Sequence, residues 1–217
     1  YTNYVKFGRI SKMNRGPFTR DQSVALLSKL DIGQEESLKQ RLTKELDEYL
    51  FDEHTEYAEN PLLLTIMLLT YKSQANIPVK MHSFYSRAYD TLFTEHDANK
   101  LGYRREYKTD LTQDKFAEYF DEFCFLSYQD GNFDPSPDEC KAFFSDLEAV
   151  AEYHPQFTWK DFMDDLTDSV CLMYEEGQKY HFLHRSFQEY FCARYFYRQE
   201  ESSLWDIAMF FDDMDVK

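Results

Sequence analysis

Glycine and proline are scarce in this chain, with six of each in 217 residues, and no glycine precedes a lysine. These residues therefore contain no Gly-x-x-x-x-Gly-Lys-(Ser/Thr) loop of the kind that cradles phosphates with backbone N–H groups. Cysteine is limited to Cys124, Cys140, Cys171 and Cys192, with no Cys-x-x-Cys spacing. All four fall on apolar positions of predicted elements, which reads as reduced core thiols of a cytosolic protein rather than a disulfide framework or a zinc site. Basic residues are outnumbered, 24 Lys and Arg against 40 Asp and Glu, for a net charge of -16. That balance argues against a DNA or RNA groove, because phosphate binding needs a basic face, and equally against an anionic membrane surface. The longest apolar run, Leu62 to Leu69, is too short to span a bilayer, and no secretory signal is present. The chain opens at Tyr1, without methionine and inside a strand-like run, as expected of a piece of a longer protein.

Aromatic residues are plentiful. Hydrophobics make up 43% and aromatics 18% of the chain, enough for a substantial core although mean hydropathy is -0.66. The length fits one large domain or two small ones.

Helix punctuation is legible along the first half. Thr19-Arg20-Asp21-Gln22 reads as a capping box opening a helix to about Leu30, with Phe18 just before it. A second helix is expected from Glu35 towards Asp52. Asn60-Pro61 is a cap followed by a first-turn proline, where the missing N–H does no harm. The run that follows is apolar on nearly all sides, so its helix should be central and buried. Tyr85, Ala88, Tyr89, Leu92 and Phe93 mark one face of the next helix, and short polar connections predict a compact helical subdomain.

The second half has another plan. Leu111 and Phe116 form a hydrophobic staple around Thr112, starting a helix through Phe120 and Phe123. Ser136-Pro137-Asp138-Glu139 caps a second helix, with Cys140, Phe143, Phe144, Leu147 and Val150 at helical spacing. Thr158-Trp159-Lys160-Asp161 opens a third, containing Phe162, Leu166 and Val170. Cys171 to Tyr174, a Glu175-Glu176-Gly177-Gln178 turn and Lys179 to Phe182 read as a β-hairpin. Three helices and then a hairpin is the order of a winged helix, with Phe187, Tyr190, Phe191 and Tyr195 on one side of a final helix. The fold class expected is mainly α: a helical subdomain followed by a winged-helix domain with a β-hairpin wing.

The segment Phe182-Leu183-His184-Arg185-Ser186-Phe187-Gln188-Glu189-Tyr190-Phe191 closely resembles the Phe-x-His-x-(Ser/Thr)-Phe-Gln-Glu-(Phe/Tyr)-Phe signature ending the winged helix of NACHT-type STAND signalling NTPases, the NLR-like proteins. Glu59-Asn60-Pro61-Leu62-Leu63-Leu64 resembles the Asn-Pro-Leu-Leu-Leu element of the helical subdomain after a NACHT core. Ile77-Pro78 with Phe84 to Phe93 is similar to the next helix of that family, and Tyr4 to Pro17 to the closing strand and linker of the nucleotide-binding core. On this resemblance residues 1–16 end the core, 17–100 are helical domain 1, 101–200 the winged-helix domain, and 201–217 begin the next helical segment. The phosphate-binding loop and the acids that hold Mg2+ would lie upstream.

The resemblance implies ADP or ATP as cofactor, with His184 near the terminal phosphate of ADP and Pro61 lining the adenine pocket. It implies an autoinhibitory, ADP-sensing role in a switch from closed monomer to ATP-bound homo-oligomer, in innate immunity or antiphage-type defence. Partners would be the upstream NTPase core and downstream sensor repeats of the same protein; no nucleic acid, no membrane, and no catalytic residue are expected here. The intact protein would be a slow ATPase in the cytoplasm.

Plainer readings stand beside these. His184 could be a helix-start histidine satisfied by a backbone carbonyl, and Pro61 simply a good first-turn residue. His181, His184 and Glu189 lack the His-Glu-x-x-His spacing that puts two metal ligands on one helical face. Glu189 reads as an ion-pair or hydrogen-bond partner within the last helix, Arg104 and Arg105 as exposed linker residues. Asp164-Asp165 and Asp212-Asp213 read as solvated faces. Two other function classes fit the element order: a helical adaptor that binds a partner protein without nucleotide, and a winged-helix DNA-binding regulator. The latter is disfavoured by Asp161, Asp164, Asp165 and Asp168 on the would-be recognition helix.

Overall fold

The computed structural model describes residues 16–30, 36–74, 78, 80–98, 107–150 and 156–199. Among them the chain is mainly helical with one two-stranded antiparallel sheet. It forms two compact units that divide between Val79 and Lys80.

In the first unit, α1 (Arg20–Lys29) starts at the expected capping box, with Thr19 and Gln22 side chains each accepting from the other's backbone N–H. α2 (Glu36–Glu45) runs on through a π-helical turn, Leu46–Leu50, into α3 (Phe51–Glu53). The widened turn interrupts what the sequence predicts as one regular helix. α4 (Thr55–Ala58) leads to α5 (Pro61–Gln74), whose first turn is capped by Asn60 Oδ1 accepting from Leu62 N at 2.9 Å and Leu63 N at 3.2 Å. α5 packs against α1, α2 and α4. Leu63, Leu64, Ile66, Met67 and Leu68 are almost wholly buried, and the all-round apolar helix is central as expected.

The second unit begins with α6 (Met81–Ala98), so the packing division falls ahead of this helix rather than near residue 100. The reason is aromatic. Tyr85 meets Phe187 edge-on and stacks on Tyr190, while Tyr89 meets Phe191 edge-on and donates its hydroxyl to Gln113 O at 2.7 Å. Three helices follow: α7 (Gln113–Gln129), α8 (Pro137–Val150) and α9 (Trp159–Asp164), capped by Thr112, Ser136 and Thr158. A π-helical turn, Asp165–Ser169, extends α9.

The hairpin then forms from β1 (Met173–Glu176) and β2 (Lys179–Phe182), in register Met173 with Phe182 and Glu176 with Lys179. The turn is tighter than the four residues expected. Gly177 and Gln178 both take positive φ, 60° and 61°, the backbone of a two-residue turn whose twist matches the strands. Glu175 and Glu176 are therefore strand residues. Cys171 also departs from expectation: it has φ 58° and is partly exposed, whereas Cys124, Cys140 and Cys192 are buried. Burial pushes the Cys140 and Cys192 thiols up to about 12, which leaves them unreactive near neutral pH.

α10 (Arg185–Arg198) lies against α7. Phe120, Phe123, Phe162, Phe182 and Phe191 interlock through edge-on and tilted contacts, as in Phe120 with Phe191 at 4.6 Å between ring centres. Of the residues read from sequence above, Tyr1 to Arg15, Glu35, Ile77, Arg104, Arg105 and residues 201–217, Asp212-Asp213 among them, lie outside the described residues.

Candidate functional site

His184 stands where β2 gives way to α10. Leu183 N donates to Leu172 O at 2.7 Å, which ties the junction to the residue preceding β1. Phe182 on one side and Phe187 on the other are buried, so the intervening backbone is held at both ends. His184 itself is the N-cap of α10, in extended backbone (φ -150°, ψ 141°), and half-buried.

Its imidazole acts as the cap. Nδ1 accepts from Ser186 N at 3.3 Å and lies 2.6 Å from Ser186 Oγ. The expectation of a backbone carbonyl partner is therefore corrected: the ring accepts rather than donates, because the first N–H groups of a helix lack intrahelical acceptors. A backbone N–H can only donate, so Nδ1 carries the lone pair and the proton of the neutral ring is on Nε2. Nε2 has no hydrogen-bond partner among the described residues and is not sealed from solvent. Burial lowers the His184 pKa from the ordinary 6.5, opposed by the carboxylate of Glu189. The geometry thus offers a neutral N–H donor at the positive end of a 14-residue helix, whose Ser186 and Phe187 amides are already paired with His184 itself.

Neighbouring side chains fix this corner. Glu189 pairs with Arg185 at 3.0 Å, the architectural role expected of it, and the Arg185 guanidinium sits 4.0 Å over the Phe133 ring. His181 is engaged elsewhere, with Asp134 Oδ1 at 2.7 Å and Glu176 O at 3.1 Å. No group of three or more potential metal ligands occurs among the described residues.

Pro61 belongs to the first unit. It is the first residue of α5, half-buried, and its carbonyl accepts from Thr65 Oγ1 at 2.8 Å. Its role as a first-turn proline is fully expressed.

Three buried polar side chains hold the second unit in place, and their burial was not foreseen from sequence. Asp121, on α7, accepts from Arg194 Nε at 2.8 and 3.0 Å and from Arg198 Nη1 at 2.8 Å. Burial pushes its carboxyl up from the ordinary value while the two guanidiniums pull it back down. The signal was an acid at helical spacing with Ala117 and Cys124 on an otherwise apolar face. Gln188, wholly buried on α10, donates to Ser127 Oγ at 2.9 Å and Asn132 O at 3.1 Å, with Oε1 unpaired.

Asp165 overturns the reading of Asp164-Asp165 as a solvated face. It is buried and accepts from Lys108 N, Thr109 N and Thr109 Oγ1 at 3.0, 3.0 and 2.8 Å. Asp164 pairs with Lys160 at 2.8 Å and with Lys108 at 2.5 Å. Two adjacent acids in a helix cannot share one face, and here the arriving segment supplies donors to both.

No family model matches this chain, and no curated protein matches it. Among the described residues no helix is long and apolar enough to cross a membrane.

Proposed function

We propose that this chain is the ADP-sensing, autoinhibitory portion of a NACHT-type STAND signalling ATPase, a helical subdomain followed by a winged helix. The observation that carries the reading is the state of His184. Its ring is held by its own helix through Nδ1, and the remaining nitrogen presents a neutral N–H without a protein partner among the described residues. A phosphate oxygen is the acceptor that suits such a donor at the positive end of a helix. Support also comes from the element order, with three capped helices, a hairpin and a helix that opens on the signature histidine.

In this proposal ADP binds to an upstream NTPase core, which also supplies the Mg2+ ligands. His184 donates to the terminal phosphate, and Pro61 offers a rigid apolar ring to the flat base. The closed monomer persists because ADP prefers it. ATP, admitted when downstream sensor repeats engage a trigger, lacks that preference, and the opened cytoplasmic protein assembles with copies of itself. A ligand shifts such an equilibrium only by its differential affinity for the two states. One hydrogen bond to a charged group is worth about 1.5–3 kcal/mol, enough for a tenfold change in population.

The test uses the intact protein. His184→Ala should release co-purified ADP and raise basal signalling without a trigger, read by nucleotide content after purification and by oligomer fraction. Unchanged ADP content and unchanged basal activity would overturn the reading. The isolated chain should show no ATPase activity.

A further inference from the structure

We infer that Ser186 is a positioning residue for His184: through its backbone N–H and its hydroxyl it holds the imidazole in the Nε2–H tautomer, so that the outward nitrogen can only donate. The inference rests on the function proposed above and narrows what the site accepts.

The geometry carries it. Ser186 lies two residues into the helix, and both of its donors converge on one ring nitrogen, Oγ at 2.6 Å and N at 3.3 Å. An Nδ1–H tautomer would point its proton at the Ser186 N–H, orphaning that amide in the first turn of α10. Oγ would then be the sole acceptor and a two-donor arrangement would become a clash. With the proton on Nε2, both donors are used and the ring plane is set. Protonation of the ring is opposed on the same grounds, since a doubly protonated imidazole loses its acceptor and places positive charge at the positive end of a helix. A neutral donor also has a chemical consequence. It binds the terminal oxygen of a phosphate without needing acid, and it cannot take a ligand group, such as an ammonium, that only donates.

The inference is tested on this 217-residue chain without nucleotide, using long-range proton–nitrogen NMR of 15N-labelled histidine. The wild-type ring of His184 should be the Nε2–H tautomer across neutral pH. Ser186→Ala removes the hydroxyl donor to the neutral ring, so the ring should take up a proton roughly fivefold more readily, from a loss of about 1 kcal/mol. Ser186→Thr keeps a hydroxyl and should restore the wild-type titration, an outcome that mere disturbance of the helix start would not give. An Nδ1–H tautomer in the wild type, or an unchanged titration in Ser186→Ala, would overturn the inference. Because no nucleotide takes part, these results are separate from the ADP-retention assay of His184→Ala, which alone judges the proposed function.

Discussion

The two units of this chain are built from different core chemistry. The first buries aliphatic side chains, Leu42, Leu46, Leu64, Ile66, Met67 and Leu68, with Tyr57 and Tyr71 among them, and no carboxylate is among its buried residues as described. In the second, rings dominate, and Asp121, Asp165 and Gln188 are sealed inside with them. Aliphatic side chains pack in many equivalent ways, whereas rings prefer edge-on or offset contacts, and a buried carboxylate tolerates one arrangement of donors. The first core therefore demands volume. The second demands geometry, and it is the one that positions His184.

The largest effect that could break this contrast is at Asp121. Asp121→Ala leaves the Arg194 guanidinium, which is itself mostly covered, without its partner, and should cost about 3 kcal/mol. Urea unfolding measures the loss. Hydrogen exchange should place it in α7 and α10, and equal loosening of α5 would show that the two cores are not distinct in kind.

A volume-conserving change probes the other core. Leu64→Met, at a wholly buried position of α5, should cost about 1 kcal/mol because the thioether refills the space. A loss as large as that of Asp121→Ala would mean the aliphatic core is just as exacting.

The smallest effect concerns acid. His54 in the first unit and His184 in the second both have pKa values lowered by burial from 6.5. Their unfolded forms bind protons first, so the stability contributed by each neutral ring is fully present above about pH 6.5 and is lost as pH falls from there through the lowered folded values. Urea midpoints between about pH 7.5 and 5.5 should fall for the wild type, and the fall should be shallower in His184→Ala. Equal pH dependence in the two proteins would remove His184 from the account.

Local signals in the sequence were reliable where the cause was local. Thr19, Asn60, Thr112, Ser136 and Thr158 all cap the helices that their spacing foretold, because a cap needs only residues within a turn of one another. The hairpin was legible from Gly177, though the turn proved to be two residues because Gln178 also adopts positive φ. Less legible were the π-helical turns at Leu46–Leu50 and Asp165–Ser169, which depend on packing around them. Of the site, His184 was found as a residue but not as a cap, since which ring nitrogen is occupied depends on where Ser186 stands.

By itself the sequence determined the elements, their order, their caps and the amphipathic faces, all of which follow from periodicity and from chemistry within a few residues. Only the tertiary structure decided that α6 packs with the later helices, that Asp165 is buried by donors arriving 56 residues upstream, and that two arginines 73 and 77 residues away close on Asp121. The reason is physical. A charge pattern does not say whether an acid faces water or a donor, because that depends on which distant segment reaches it when the apolar surfaces come together.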